Sequence, residues 1–164
     1  GRNVTQEYVK DRQQVLLAGL DTSKTILLSP IQSRLERPVV VFDDPDCTFC
    51  QQFHPEVQKL VEAGVPVAVV LYPLVRTHPD AYRKSVAIWC APDQAEALGR
   101  ALVAKSVGAA VGPCSHPIDE NIRLARRLGV HSTPTVFLPD GRSFAGYRPA
   151  SDVLALLNMG SEQR

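Results

Sequence analysis

The stretch Pro38-Val39-Val40-Val41-Phe42-Asp43-Asp44-Pro45-Asp46-Cys47-Thr48-Phe49-Cys50 runs from one kind of secondary structure into another and carries two cysteines at the junction. Its first five residues are apolar and mostly β-branched, the pattern of a short strand buried on both faces. Asp43-Asp44-Pro45-Asp46 ends that strand. From Cys47 to about Ala63 the sequence predicts a helix, stopped by Gly64. Val65 to Tyr72 predicts the next buried strand. Strand, helix and strand in that order argue for a parallel pair joined by a right-handed crossover.

Cysteines at the start of a helix have a specific chemistry. The free N–H groups and the positive end of the helix dipole favour thiolate over thiol. An unperturbed cysteine, with a pKa of ~8.5, is only ~3% thiolate at pH 7, whereas a pKa of about 5 leaves it almost fully ionised. Cys47 is therefore read as an exposed nucleophile and Cys50, one turn further in, as the residue that resolves the mixed disulfide. Stabilising the thiolate also makes the disulfide a stronger oxidant. Thr48 and Phe49 complete the redox loop. The competing readings are a structural disulfide or half of a zinc site. Zinc usually takes a second pair of ligands at similarly close spacing. Cys90 and Cys114 stand far apart, and His54, His78, His116 and His131 offer no second knuckle, so no metal is expected. No organic cofactor is expected either, because the cysteines carry the electrons.

Further out, Asn3 or Thr5 is expected to cap a helix running to about Ala18, with Tyr8, Val9, Leu16 and Leu17 as a thin apolar face. Asp21 to Arg37 reads as irregular, with Ile26 to Leu28 as a short edge strand. Helices are predicted from Asp80 to about Ala91 and from Pro92 to about Lys105, Pro92 suiting a first turn. Another runs from Pro117 to Leu128 and is closed by Gly129. Thr133 to Leu138 predicts a strand, Pro139-Asp140-Gly141-Arg142 a turn, and Ser143 to Tyr147 the returning hairpin partner. A last helix is expected from about Ser151 to Asn158. The sum is an α/β sheet whose final two strands are antiparallel, with a helical insertion in the middle. Pro134 is a candidate cis-proline that would offer the Thr133 backbone to an incoming peptide; the alternative is a trans proline opening an edge strand. Pro55, inside the first long helix, removes one backbone hydrogen bond and should kink it.

Bulk properties narrow the class. The chain has 164 residues, 45% hydrophobic and 21% charged, which suits one globular domain with a real core. Net charge is +1 and the basic residues are scattered, so nothing asks for a nucleic-acid partner. The longest apolar run, Val65 to Val75, is broken by Pro66 and Pro73 and is too short to span a bilayer. The chain begins at Gly1 rather than Met, as expected of a processed mature protein or a trimmed one. Four cysteines permit three pairings. A chain of this size needs no disulfide to fold, so at least one pair is expected to exist for its chemistry.

Together these motifs resemble the catalytic domain of the periplasmic disulfide isomerases typified by DsbC and DsbG. The resemblance is carried by Phe42 to Cys50, Ala87-Ile88-Trp89-Cys90-Ala91, Gly129-Val130-His131-Ser132-Thr133-Pro134 and Gly146-Tyr147-Arg148-Pro149, and it covers nearly the whole chain. It implies a thioredoxin fold with a helical insertion, its mixed central sheet flanked by helices and preceded by a linker-like helix. It implies a nucleophilic Cys47, a cis-proline loop at Thr133-Pro134, and a non-catalytic disulfide between Cys90 and Cys114. On this reading residues 1–36 are linker helix and connecting segment, and residues 37–164 the catalytic domain. The partners implied are disulfide-containing substrate proteins and a membrane reductase or oxidase that resets the site. The resemblance implies dimerisation through an N-terminal domain, which is expected either to have been removed or to be naturally missing. Thr48-Phe49 departs from the family's usual small residue or proline followed by tyrosine, so redox tuning is expected to differ.

Five other readings are weaker. His54 reads as a partly exposed surface histidine that could support the thiolate, and His131 could border a substrate groove. Trp89 is expected to pack in the core beside the disulfide. Asp43, Asp44 and Asp46 either cap the redox helix or oppose the thiolate. Arg123, Arg126 and Arg127 form a solvated face. The functional alternatives are a monomeric dithiol oxidase or reductase, and a non-enzymatic peptide-binding or chaperone module that keeps the fold.

Overall fold

The computed structural model describes residues 4–108 and 114–162. Five strands form one sheet in the order β1-β3-β2-β4-β5, where β1 is Ile26–Leu28, β2 Val39–Asp43, β3 Val67–Leu71, β4 Thr135–Phe137 and β5 Ser143–Ala145. Strands β2 and β3 are parallel, with Val41 opposite Val69, and every residue of both is buried. Their neighbours run antiparallel: β1 beside β3, β4 beside β2, and β5 as the hairpin partner of β4. Among the described residues six α-helices accompany the sheet: α1 (Val4–Ala18), α2 (Thr48–Glu62), α3 (Ala81–Trp89), α4 (Gln94–Val103), α5 (Ile118–Leu128) and α6 (Ala150–Glu162).

Because β2 and β3 are covered on both sides, alternate residues feed two cores. Val39, Val41, Val67 and Val69 face a cluster with Phe53, Val57 and Leu60 of α2, Leu98 and Leu102 of α4, and Val153 of α6. Val40, Phe42, Ala68 and Val70 face Ala125 and Leu128 of α5, joined by Leu16 and Leu17 of α1. Phe42 meets both Tyr72 and Phe137 edge-on, at centroid distances of 6.2 and 5.9 Å. These two layers hold the end of β2, and so the redox loop, between packed helices.

The structure moves several expected boundaries. Helix α4 begins after Pro92, because the Asp93 carboxylate accepts the Glu96 N–H at 3.1 Å and acts as its cap. Strand β4 begins after Pro134, which cannot donate to the ladder. Helix α6 starts at Ala150, whose N–H is taken by Glu56 of α2 at 3.1 Å, a cap supplied from 94 residues away. Thr5 lies inside α1, and Asn3 falls outside the described residues. Tyr8 and Val9 of α1 are exposed; only Leu16 and Leu17 of the expected apolar face pack inward. Gly129 closes α5 at φ 74°, a left-handed conformation that costs glycine least.

Candidate active site

Cys47 is the N-cap of α2. Its backbone is extended, its sulfur accepts the Cys50 N–H at 3.4 Å, and its own N–H donates to the Asp44 carbonyl at 3.1 Å. As a thiol, Cys47 also donates to the Thr133 carbonyl at 3.2 Å. The Thr133–Pro134 peptide bond is cis, and the Gly146 N–H donates to the Pro134 carbonyl at 2.8 Å, tying the β5–α6 loop to this loop. Strand β4 thereby brings Thr133 and Pro134 to Cys47 across 86 residues of sequence.

The two cysteines are free thiols in unlike surroundings. Cys47 keeps 6% of its surface and Cys50 none, so the expected exposed nucleophile is instead a nearly buried one, crowded by the α2 N-terminus and the Thr133 loop. The Cys50 thiol, hydrogen-bonded to the Cys47 sulfur, is the largest influence on it. Burial opposes, while Thr133 and the N–H groups of Cys50 and Phe49 reinforce, and Cys47 is lowered to about 6. Burial pushes Cys50 strongly up, helped by its role as donor to Cys47 and by the charge of Asp43. One sulfur is thus held as thiolate and the other as thiol at neutral pH.

Three aspartates surround the pair and do different things. Asp43, the last residue of β2, is buried, and its Oδ1 has no hydrogen-bond partner. Burial raises its carboxyl to about 7, against the Cys50 thiol, which favours the charged form. Asp44 is wholly buried and bonded through every polar atom. Asp46 pairs with Lys84 of α3 at 2.6 Å, with both side chains partly shielded. None of the three places its side chain on the α2 N-terminus as a cap; Cys47 holds that position.

The remaining candidates divide. Phe49 is 57% exposed on the first turn of α2. Cys90 and Cys114 are joined by a disulfide, with Cα atoms 5.8 Å apart, and Trp89 beside them is partly buried against the core. His131 is exposed, as are Arg123, Arg126 and Arg127. His54 is not a surface residue: it is 3% exposed, its Nδ1 has no partner, Nε2 faces Gly99 of α4, and burial lowers its pKa. Sequence reasoning missed the Asp44 network and Glu56. The Asp44 turn was readable in principle, since Asp44 Oδ1 accepts the Asp46 N–H in the Asx manner at 2.8 Å. Among the described residues no group of three or more metal-ligating side chains converges, and no helix is long and apolar enough to cross a membrane.

A buried parallel strand pair, a cysteine capping the next helix, and a cis-proline loop facing that cysteine define a thioredoxin-like domain. The chain belongs to that family, whose model matches residues 28–161. Within it, the relatives are disulfide interchange proteins. A disulfide interchange protein from Neisseria gonorrhoeae superposes with a TM-score of 0.75 at 30% identity, over 85% of this chain and 97% of its own. The thiol:disulfide interchange protein DsbC of Escherichia coli K12 is 31% identical over 73% of this chain and 50% of its own length. That of Dickeya dadantii is 26% identical over 95% of this chain and 62% of its own. The chain thus spans about half to three-fifths of the curated relatives it matches.

Proposed function

We propose that this chain exchanges disulfides with substrate polypeptides through Cys47 and Cys50, as an isomerase first and an oxidase second. The observation that carries the reading is the geometry of the two sulfurs: Cys47 caps α2, takes the Cys50 N–H and faces the cis Thr133–Pro134 loop while Cys50 lies fully buried behind it, so that Cys47 is lowered to about 6 and Cys50 pushed far up. Roughly nine-tenths of Cys47 is then thiolate at pH 7, since one unit is a tenfold ratio.

The Cys47 thiolate attacks one sulfur of a substrate disulfide. A bond forms between them, the substrate bond breaks, and the other substrate sulfur leaves with the electron pair and takes a proton from water. Cys50 then gives its proton to the Asp43 carboxylate and attacks the Cys47 sulfur. The Cys47–Cys50 bond forms, the mixed disulfide breaks, and the substrate has gained two electrons. Reversal oxidises a substrate dithiol. In isomerisation a second substrate thiolate attacks the mixed disulfide instead, and Cys47 leaves reduced with no net electron transfer. Thr133 and Pro134 would align the substrate backbone beside Cys47, and exposed Phe49 would border it. Cys90–Cys114 would stay outside this chemistry, as a clamp on the helical insertion.

The kinship with DsbC supports the periplasm as the compartment, residues 37–164 as the catalytic domain behind a linker in residues 1–36, and a membrane reductase or oxidase as the partner that resets the pair. Refolding of a scrambled disulfide protein tests the reading. Native pairing should return with the wild-type chain and fail with Cys47→Ser. Oxidation of a reduced peptide without reshuffling would favour the oxidase. Full effect from a Cys47→Ser/Cys50→Ser chain would mean a binding module instead.

A further inference from the structure

Asp44 sits between the redox loop and the segment that leads into the helical insertion, and its bonds run both ways. Toward the redox pair, its N–H donates to the Cys50 sulfur at 3.5 Å and its carbonyl accepts the Cys47 N–H at 3.1 Å. Its side chain points the other way. Oδ2 accepts the Leu74 N–H at 2.8 Å and meets His78 Nδ1 at 2.9 Å, while Oδ1 closes the turn onto the Asp46 N–H. Leu74 and His78 are themselves locked, His78 N–H to Leu74 carbonyl at 2.7 Å, and the His78 carbonyl takes the Ala81 N–H where α3 begins. Lys84 of α3 reaches back to Asp46, a second tie between the same two segments.

A fully buried carboxylate is costly unless each oxygen is satisfied, so this arrangement fixes the peptide plane of residue 44 with little freedom. That plane carries the donor on Cys50. We propose that Asp44 is a positioning residue for Cys50: its carboxylate, gripped by Leu74 and His78, aims its own N–H at the Cys50 sulfur. The segment Leu74 to His78 thereby sets how fast Cys50 resolves a mixed disulfide. The proposal rests on the reading that Cys50 is the resolving cysteine. No substrate atom need touch Asp44 or His78. The physical link is that an N–H aimed at sulfur favours the thiolate that must form before Cys50 attacks, against the burial that disfavours it. In that step the Cys50 S–H proton passes to the Asp43 carboxylate, the Cys47–Cys50 bond forms, the mixed-disulfide bond at Cys47 breaks, and the other partner leaves as thiolate.

The test separates the two half-reactions. Asp44→Asn keeps the shape but turns an NH2 toward the Leu74 or Asp46 N–H, donor against donor. Alkylation of Cys47 at pH 7 should stay within about twofold of wild type, because the groups that hold its thiolate are the Cys50 thiol, Thr133 and the N–H groups of Cys50 and Phe49, none of them on Asp44. Release of glutathione from a preformed Cys47 adduct, followed by mass spectrometry, should slow about tenfold, the worth of one hydrogen bond to a charged group. His78→Ala removes one arm and should slow release about threefold; His78→Gln, which can still donate to Oδ2, should recover most of it. If Asp44→Asn fails to fold, the half-exposed His78 variants carry the test alone. Wild-type release from His78→Ala overturns the proposal, as does equal slowing of alkylation and release. Cys50→Ser serves as the control: if it still releases glutathione at the wild-type rate, the assignment of Cys50 fails before Asp44 is in question.

Discussion

The molecule holds two cysteine pairs, and they sit at opposite ends of helices. Cys47 caps the N-terminus of α2, where N–H groups converge on its sulfur, and Cys50 lies one turn in, buried against the sheet. Cys90 caps the C-terminus of α3, where carbonyls converge, and Cys114 lies exposed before α5. The dipole therefore favours thiolate at the first pair and disfavours it at the second. The first pair is free and the second bridged. The free pair and the bridged pair thus differ in position relative to a helix end.

The largest expected break in that comparison is kinetic. Cys47→Ser should lower disulfide exchange at least about a thousandfold, whereas Cys90→Ser/Cys114→Ser should keep it within about threefold. Insulin reduction by the three chains would read this, and comparable losses in both would erase the distinction. The next effect is in stability and has opposite signs. Losing Cys90–Cys114 should cost about 3 kcal/mol on a chain-entropy model, seen as a lower urea midpoint. Reducing Cys47–Cys50 should instead raise the midpoint at pH 8. Cys47 has a depressed folded pKa, so its contribution is full above the unfolded value near 9 and is lost as pH falls through about 6. The gain on reduction should accordingly shrink between those values, and a pH-independent gain would count against a tuned thiolate.

A smaller effect belongs to Asp43. With its carboxyl near 7, the release step at Cys50 should accelerate through that pH, and Asp43→Asn should slow it several-fold and flatten the profile. An unchanged inflection would assign the proton to another acceptor. The smallest effect concerns His54, one turn beyond Cys50. Its folded pKa lies below the ordinary 6.5, so the folded state resists its protonation and stability should fall as pH drops below 6.5. His54→Leu should remove part of that slope in urea titrations between pH 5 and 7, while Cys47 alkylation stays as in wild type.

Much of the scaffold was legible because its signals are local. β-branched runs fix β2 and β3, Gly129 stops α5, and the Asp140-Gly141 turn makes the last hairpin. Boundaries failed where a partner lay elsewhere, as with Glu56 capping α6 from α2. Burial failed for the same reason. Periodicity could not show that α4 would close over His54, or that Tyr8 and Val9 of α1 would remain uncovered.

The sequence alone determined the order of elements and the placing of two cysteines where a buried strand meets a helix, because strand pattern, turn residues and helix start lie within a dozen positions of one another. Only the tertiary structure decided what those cysteines experience. It set Thr133 against Cys47, left Asp43 Oδ1 unpartnered beside Cys50, and anchored Asp44 to His78. Charge stability in a protein depends on burial and on hydrogen-bond partners within a few ångströms, and chain folding brings those partners from 34 and 86 residues away.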